Sequence, residues 1–424
     1  MPDSNAALQS PPWLWDVFCR VIDNHGDLGV LLRLSRQLGA LGHQVRLWVD
    51  DASALAWMAP DSIAGVQMLP WSHSERPECL HSLPMADAWV EGFGCELPEN
   101  FVANFVINKS EEAKKNCKKP VWLNLEYLTA ESYAERCHGL PSPVMSGPAQ
   151  GWIKHFYYPG FSPQTGGLLR EVGLLEEQAT FDRAAWLRSQ GITWHGERLV
   201  SLFCYEPRAL GDWLHTCVQG ATPTRLLVAH GRPAAVVRAV WPAVASGAVL
   251  PDEPPSQPLS QPPSSRTPHP LPEHQQGALT VQFLPPLPQA DFDRLLRACD
   301  WNFVRGEDSL VRAIWAGKPY VWHIYPQDDG AHHAKLNAFL DRLDAPPSIR
   351  HWHHWWNQDA HQPMGVHPPE KLPNTWLPAR DTAWFETARQ TLLSQPDLTT
   401  QLIAFIQTRT PTVQCAVTFQ PPGV

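Results

Sequence analysis

Apolar residues along the first fifty positions change their spacing twice, which predicts a strand, a helix and a second strand. The stretch WDVFCRVI at 15–22 is a mostly apolar run of strand length. After the turn DNHGDLG, leucines recur every three or four positions from Leu28 to Leu41, which gives a helix one apolar face. HQVRLWVDD at 43–51 then returns to strand character. This order predicts the start of an α/β domain.

Three further apolar runs in the first half are predicted to be strands of the same sheet. They lie at 88–93, 102–107 and 121–128. We therefore expect one α/β domain over residues 13–175.

The second half repeats the alternation of strands and helices. ERLVSLFCYEP at 197–207 and TRLLVAH at 224–230 are strand-like, and Asp291 is a candidate cap for a helix that follows. The next segments, DWNFVRG, EDSLVRAIWA and YVWHIY, predict a strand, a helix closed by Gly317 and another strand. We expect a second α/β domain over 195–365, with a parallel sheet whose ligand site lies at the carboxyl ends of its strands.

Two segments of the second half lie outside this pattern. Residues 251–277 contain nine prolines and almost no apolar side chains, so we expect a disordered loop inserted in the second domain. Residues 374–410 have helical spacing and are predicted to form terminal helices.

Composition excludes several classes of protein. A net charge of −9 over 424 residues argues against nucleic acid as a partner. Nine cysteines without a CxxC pair indicate reduced thiols in the cytoplasm. The start of the chain has neither the basic nor the apolar part of a signal peptide, and the most apolar later stretch is interrupted by Arg238 and Pro242. We expect a cytoplasmic protein that does not span a membrane.

The turn DNHGDLG contains two carboxylates where many α/β proteins bind a phosphate. Gly26 and Gly29 permit a tight turn and close backbone approach, but they do not make the G-x-G-x-x-G pattern of dinucleotide sites. Asp23 and Asp27 would each cost about 1–4 kcal/mol if placed about 4 Å from a pyrophosphate. The turn therefore favours a cation or a proton donor, although Asp27 is equally suited to cap the following helix.

The complementary site lies in FVRGEDSLVRA, at 303–313. Gly306 ends a predicted strand, and the amides of Asp308 and Ser309 would open the next helix toward an anion. Arg305 adds a fixed positive charge, and Glu307 is placed to hold a sugar hydroxyl or to orient Arg305. The alternative is structural: Asp308 and Ser309 cap the helix while Arg305 pairs with Glu307.

A histidine-rich run, HWHHWWNQ at 351–358, raises the question of a metal site. Its spacing matches no zinc pattern, and no cysteine lies nearby. We expect these histidines to pack or to lie at the surface, and we expect no metal.

Six segments, in order along the chain, together resemble the EarP family, the protein-arginine rhamnosyltransferases of bacterial elongation factor P. The segments are VFCRVIDNHGDLGV, GFGCELPEN, WLNLEYLTAE, GFSPQTGGLLRE, FVRGEDSLVRA and AGKPYVWHIYPQ. The resemblance implies a GT-B glycosyltransferase, with two Rossmann-like domains facing a central cleft. It also implies that the second domain binds dTDP-β-L-rhamnose and the first binds elongation factor P, whose arginine receives the sugar with inversion and without a cofactor. A glycosyltransferase with a different acceptor and a non-catalytic nucleotide-sugar sensor remain the alternatives.

The resemblance also assigns roles to residues. Asp23 and Asp27 match the catalytic aspartates of the family, with Asp27 as the general base, and Glu307 matches a glutamate that supports activity. Pro286 stands where the family usually has an aromatic residue that packs on the nucleobase, so that contact is expected from elsewhere or with lower donor affinity. The positions that match donor-contacting residues are Tyr205, Gln289, Arg305, Asp308 and Ser309.

Overall fold

Two largely parallel β-sheets organise the chain. The computed structural model describes residues 12–22, 25–106, 119–247, 273–358, 367–369 and 376–410. The strands of the first sheet are β1 (Leu14–Cys19), β2 (Gln44–Val49), β3 (Val66–Pro70), β4 (Ala88–Gly92), β5 (Val121–Leu125), β6 (Pro141–Pro143) and β7 (Ile153–Tyr157). They lie in the order β3-β2-β1-β4-β5-β7-β6, and each neighbouring pair is parallel except β7 with β6.

The helices associated with this half are short apart from the first. They are α1 (Gly26–Ala40), α2 (Leu55–Met58), α3 (Trp71–Ser74), α4 (Pro77–Leu80), α5 (Glu99–Val106), α6 (Ser132–Cys137), α7 (Leu174–Ala179) and α8 (Arg183–Ser189). The predictions of β1, α1, β2, β4 and β5 are confirmed.

The strand predicted at 102–107 is wrong, because residues up to Val106 belong to α5. Phe101, Val102 and Phe105 are buried on one face of this helix, and both phenylalanines contact Trp89 with ring centroids 5.3 and 5.9 Å apart. A short apolar run fits a buried strand and a buried helix equally well, so periodicity alone did not separate them.

The second sheet has the same layout. Its strands are β8 (Arg198–Leu202), β9 (Thr224–Val228), β10 (Glu273–Gln276), β11 (Leu279–Phe283), β12 (Trp301–Arg305) and β13 (Tyr320–His323). Their order is β10-β11-β9-β8-β12-β13, and only β10 runs antiparallel to its neighbour. The helices of this half are α9 (Leu210–Val218), α10 (Arg232–Ser246), α11 (Gln289–Ala298), α12 (Gly306–Ala316), α13 (Ala331–Arg342), α14 (Pro347–Trp356), α15 (Ala379–Leu393) and α16 (Leu398–Gln407).

Two local predictions in this half need correction. Of the predicted disordered loop, residues 251–272 lie outside the described residues, but 273–276 form the edge strand β10. This strand is polar and exposed, and backbone pairing to β11 holds it in place. Its side chains therefore lack the alternation of apolar and polar residues that predicts a strand. Helix α11 begins at Gln289, not after Asp291, whose Oδ1 instead accepts bonds from Trp186 and Arg294.

The strand order identifies where ligands are expected. In each sheet the order reverses beside the first strand, between β1 and β4 and between β8 and β12. Ligands of open α/β sheets bind outside the carboxyl ends of strands at such a reversal. Asp27 follows β1 and Glu307 follows β12, so both carboxylates lie at these positions.

The last two helices pack on different sheets. Trp384 and Phe385 of α15 belong to the core around the second sheet. Leu402 and Ile406 of α16 belong to the core around β1 and α1, so the chain returns to the first sheet near its end. Within the described ranges, no helix has the length and apolarity needed to cross a membrane.

Candidate active site

The carboxyl ends of the two sheets meet at an interface that we call the cleft. The backbone N–H of Leu128, after β5, donates to Oε2 of Glu307 at 2.7 Å. Nε2 of Gln289 donates to the carbonyl oxygen of Gly29 at 2.9 Å. A Cβ at Gly29 would lie 3.3 Å from Oδ2 of Asp308, so glycine permits the close approach of α1 to α12. The first turns of α1, α11 and α12 therefore converge here.

Asp27 lies in the first turn of α1 and is almost fully buried, with 3% of its surface exposed. Its Oδ2 accepts a hydrogen bond from the backbone N–H of Ile22 at 2.8 Å, which ties the loop after β1 to the helix. Gly26 is the first residue of α1, and Gly29 lies within this helix. Asp23 lies outside the described residues, so its role stays a prediction.

Glu307 connects three parts of the chain. Its Oε1 accepts a hydrogen bond from Nζ of Lys335 at 2.7 Å, and its Oε2 accepts the bond from Leu128. Burial raises the pKa of Glu307, Lys335 opposes that shift, and the negative charge of Asp27 adds to it. Because the charge of one carboxylate affects the other, Asp27 and Glu307 belong to one electrostatic site.

Arg305 is held by aromatic rings at the end of β8. Its guanidinium carbon lies 4.4 Å from the ring centroid of Phe203 and 4.8 Å from that of Tyr205, and its Nη1 donates to the carbonyl of Cys204 at 3.2 Å. The backbone N–H of Tyr205 donates to Nδ1 of His323 at 3.3 Å. Burial lowers the pKa of His323 to about 3, so this imidazole is neutral and accepts the bond.

The junction between β12 and α12 is fixed by local bonds. The hydroxyl of Ser309 accepts from the N–H of Arg305 at 2.9 Å and donates to its carbonyl oxygen. Gly306 has φ of 63°, in the left-handed region that favours glycine, and its carbonyl accepts from Nε1 of Trp322 at 2.8 Å. This junction directs the positive end of the α12 dipole toward the cleft.

Two residues that the family resemblance assigns to the donor contact the first half of the chain here. Asp308 forms an ion pair with Arg33 of α1, with Nε and Oδ1 2.8 Å apart. Besides its bond to Gly29, Gln289 accepts a hydrogen bond from Arg36 at 3.5 Å. Both side chains therefore connect the two halves of the molecule.

Arg33 is the centre of a charged network that sequence reasoning did not find. Its guanidinium is almost fully buried and donates to both carboxylate oxygens of Asp293, at 2.8 Å each. It also contacts Glu171, which Arg312 binds from α12. No local pattern marks these residues, because each lies on a separate segment and only the packed domains bring them together.

Sequence reasoning also missed the residues after β5. Glu126 directly follows this strand, and burial together with the charges of Glu91 and Glu307 raises its pKa. Tyr127 stacks on Phe93 with ring centroids 4.6 Å apart. The rule that ligands bind at the carboxyl ends of parallel strands would have identified both residues. The sequence, however, predicts this strand as far as residue 128, beyond both of them.

The arrangement suits a cation on the first sheet and an anion on the second. Asp27, Glu91 and Glu126 all follow or lie within strands of the first sheet, whereas Arg305 and the start of α12 belong to the second. Among the described residues, no group of three or more His, Cys, Asp or Glu is arranged to hold a metal ion. His353 of the histidine-rich run is buried, and its Nδ1 lies 2.9 Å from the carbonyl of Ile349, as expected for packing.

A sequence model of one family matches residues 15–407, and it describes the elongation factor P rhamnosyltransferase EarP. The chain belongs to the EarP family. It is therefore a protein-arginine rhamnosyltransferase, a glycosyltransferase with the GT-B arrangement of two Rossmann-like domains. The resemblance carried by the six segments is confirmed.

Characterised relatives of the EarP family cover most of the chain. The protein-arginine rhamnosyltransferase of Pseudomonas putida is 40% identical over 410 residues, which are 92% of this chain and 98% of the relative. The enzyme of the same name from Neisseria meningitidis is 33% identical over 413 residues, 94% of this chain and 98% of the relative. A solved structure described as the structural basis for EarP-mediated arginine glycosylation of translation elongation factor EF-P is 29% identical in sequence to this chain. The two structures superpose with a TM-score of 0.56, and the match covers 93% of this chain and 99% of the solved chain.

Proposed function

We propose that this member of the EarP family transfers L-rhamnose from dTDP-β-L-rhamnose to an arginine side chain of elongation factor P, with inversion at the anomeric carbon. The observation that carries the proposal is the separation of charge across the cleft. The buried carboxylate of Asp27 lies on the side of the first sheet, whereas the guanidinium of Arg305 and the amides at the start of α12 lie on the side of the second. The described relatives are named for arginine modification, and one solved relative is described with elongation factor P.

The donor would bind on the second sheet through its diphosphate. The first amides of α12 and the guanidinium of Arg305 are suited to bind and stabilise phosphate oxygens. Tyr205 packs beneath Arg305 and would support that side of the pocket. Glu307, held by Lys335, would accept a hydrogen bond from a sugar hydroxyl. Pro286 supplies no ring for the base, so we expect the diphosphate contacts to dominate donor affinity.

The acceptor arginine would bind on the first sheet as a cation. A guanidinium has a pKa above 12, whereas an aspartate has an ordinary pKa of about 4, so proton transfer before bond formation is strongly uphill. Asp23 and Asp27 would bind the guanidinium and localise its electrons on one nitrogen.

The reaction would then proceed as a single displacement. The nitrogen attacks the anomeric carbon from the face opposite the diphosphate, the bond from carbon to phosphate oxygen breaks, and its electron pair leaves with dTDP. The proton of the attacking nitrogen passes to Asp27 as the new bond forms. The start of α12 stabilises the negative charge on the departing diphosphate, and attack from the opposite face inverts the configuration. No cofactor and no metal is needed for these steps.

Intact-mass spectrometry of elongation factor P tests the proposal. The purified chain, dTDP-rhamnose and elongation factor P should yield an acceptor heavier by one deoxyhexosyl group, which fragmentation places on an arginine. Replacement of that arginine by lysine should abolish the gain. Rhamnosylated free arginine without any modified protein would favour a different acceptor, and binding of dTDP-rhamnose without any product would favour a sensor. Either outcome would contradict the proposal.

A further inference from the structure

A cavity lies where the two halves of the molecule meet, and its lining includes none of the residues assigned to the reaction. Its volume is about 230 Å³, and it is lined by α1, by the segment between the sheets and by α11. Asp27, Glu307, Arg305 and Tyr205 do not line it. We call it the seam cavity. The buried Arg33, which pairs with Asp308, stands between this cavity and the start of α12.

Four arginines line the seam cavity, and the pairing of two of them is clear. Arg33 is neutralised by Asp293 and Asp308. Arg294 pairs with Glu177, with Nη2 and Oε1 2.7 Å apart, and with Asp291. These two cations therefore have no need of a further anion.

Arg36 and Arg297 differ from the other two. Neither has a carboxylate within 4.0 Å in the part of the chain that the structure describes. Nη1 of Arg36 donates to Oε1 of Gln289 at 3.5 Å, and Nη1 of Arg297 donates to the carbonyl oxygen of Ala316 at 2.7 Å. Burial lowers the pKa of both guanidinium groups, and the neighbouring charges of Arg33 and Arg389 add to this shift. Glu171, Asp293 and Asp308 oppose the shift of Arg36, and Glu386 opposes that of Arg297, but none of them forms an ion pair with these two arginines.

The remaining walls of the seam cavity contain the carboxylates of Glu171, Glu177 and Asp293, each already paired with an arginine, and several apolar side chains. Val172, Leu174 and Phe181 contribute side chains from the segment that connects the two sheets. The volume is several times the ~30 Å³ that one molecule of liquid water occupies, so a small organic molecule fits. A guanidinium offers five N–H donors in a planar fork that matches a carboxylate or a phosphate.

We propose that the seam cavity binds a small organic anion, in which a carboxylate or phosphate contacts Arg36 and Arg297 and an apolar group contacts Val172, Leu174 and Phe181. The charge of the ligand would supply the direct ion-pair partner that neither arginine has among the described residues. This inference goes beyond the proposed function, because Asp27, Glu307, Arg305 and Tyr205 do not line the seam cavity.

Binding in the seam cavity would affect the arrangement of the domains. Arg36 belongs to α1 beside the first sheet, and Arg297 belongs to α11 beside the second, so one anion would connect the two. Arg36 also contacts Gln289, which the family resemblance assigns to the donor. An anion that draws Arg36 away from Gln289 would therefore change donor affinity, and donor binding would change anion affinity by the same factor.

Isothermal titration calorimetry at constant ionic strength tests the proposal. Phenyl phosphate and benzoate serve as probes that distinguish phosphate from carboxylate, inorganic phosphate tests the anion alone, and benzyl alcohol tests the apolar group alone. Each probe is titrated with and without saturating dTDP, which occupies the cleft. Phenyl phosphate or benzoate should bind in the presence of dTDP, and more tightly than inorganic phosphate or benzyl alcohol.

Variants decide whether the binding occurs in the seam cavity. Arg36→Gln and Arg297→Gln should each raise the Kd of the better probe about tenfold, as expected for the loss of one charge-assisted contact. Arg188→Gln, an exposed arginine outside the cavity, should leave it unchanged. Circular dichroism confirms that each variant is folded.

Four results would overturn the proposal: no probe binds, dTDP displaces the probe competitively, neither cavity variant changes the Kd, or Arg188→Gln weakens binding as much as they do. Tighter binding of benzyl alcohol than of either organic anion would also overturn it. If dTDP itself fails to bind, the proposed donor assignment is wrong, but the comparison of variants still decides the seam cavity.

Discussion

At the residue scale, the charge of Glu307 depends on a balance between burial and one lysine. Burial and the nearby Asp27 favour the protonated form, whereas Lys335 favours the ionised form through a bond of 2.7 Å. In the proposed reaction, the ionised form would accept a hydrogen bond from a sugar hydroxyl. Lys335 would then be a positioning residue that keeps Glu307 ionised.

Lys335→Met should shift the acid limb of the pH–rate profile. Without the ammonium group the pKa of Glu307 rises further, so activity that needs the carboxylate is lost at a higher pH as the solution is acidified. The pH dependence of kcat/KM for transfer to elongation factor P measures this shift. Lys119→Met serves as a control for the loss of a lysine elsewhere. A uniform loss of activity at every pH would show that Lys335 has only a structural role.

The position of a candidate site residue relative to a predicted strand decided whether the sequence could identify it. Asp27, Arg305 and Glu307 each lie near the junction of a predicted strand with the following predicted helix, where ligands of parallel sheets are expected, so local patterns identified them. Glu126 also follows a strand, but the apolar residues around it extended the predicted strand past its true end at Leu125. Lys335 lies on a different helix, and its contact with Glu307 depends on tertiary packing.

At the element scale, α1 and α12 approach each other through buried charges. Arg33 of α1 binds Asp308 of α12 and Asp293 of α11, and only 3% of its surface is exposed. A buried ion pair adds little stability compared with apolar packing, but the removal of one partner leaves an uncompensated charge. The contact between these helices should therefore be sensitive to the loss of Arg33.

Arg33→Met should lower the free energy of unfolding by about 3–5 kcal/mol, because Asp293 and Asp308 would lose their buried counter-ion. Urea unfolding monitored by tryptophan fluorescence measures the change. The matched control is Arg380→Met, an exposed arginine whose loss should cost at most about 1 kcal/mol. A similar effect of both substitutions would contradict the role given to the network.

Elements with long or distinctive patterns were predicted well from the sequence. The leucine spacing of α1 and the closure of α12 by Gly317 each have a clear physical cause, and both helices are confirmed. The apolar run of helix α5 is too short to distinguish a helix from a strand, so the strand predicted there is wrong. Strand β10 was missed because polar residues form it through backbone pairing alone.

At the scale of the whole molecule, the chain connects the two sheets twice. The segment between β7 and β8 leads from the first to the second, and α16 returns to the first after α15 has packed on the second. Two hydrogen bonds fix this return: the N–H of Leu398 donates to the carbonyl of Leu168 at 2.9 Å, and Nε2 of Gln37 donates to Oδ1 of Asp397 at 2.9 Å.

Leu402→Ala should destabilise the first half of the molecule by about 2–5 kcal/mol, because it removes a fully buried side chain from the core around β1. Hydrogen exchange measured by mass spectrometry should show faster exchange in β1 and β2. Leu175→Ala, at an exposed leucine of α7, should leave exchange in these strands unchanged. Unaltered exchange in the Leu402 variant would contradict the packing of α16 as part of that core.

The relative placement of the two halves could not be predicted from local patterns. Arg33 and Asp308 are 275 positions apart, and Gln289 and Gly29 are 260 apart. The sequence indicated two α/β domains and the charge of each site, because strand ends and helix starts are local features. The contacts between the domains depend on residues that become neighbours only after both have folded.

Calorimetric titration of dTDP into Asp27→Asn and Arg305→Ala most directly tests the division of charge across the cleft. Asp27→Asn should bind dTDP as the unsubstituted chain does while transfer to elongation factor P is abolished, because the carboxylate is proposed to bind the acceptor. Arg305→Ala should bind dTDP about ten- to a hundredfold more weakly, since it removes a charge-assisted contact to phosphate. A loss of dTDP affinity in Asp27→Asn as large as that in Arg305→Ala, or near-normal transfer by Asp27→Asn, would contradict the division of charge across the cleft.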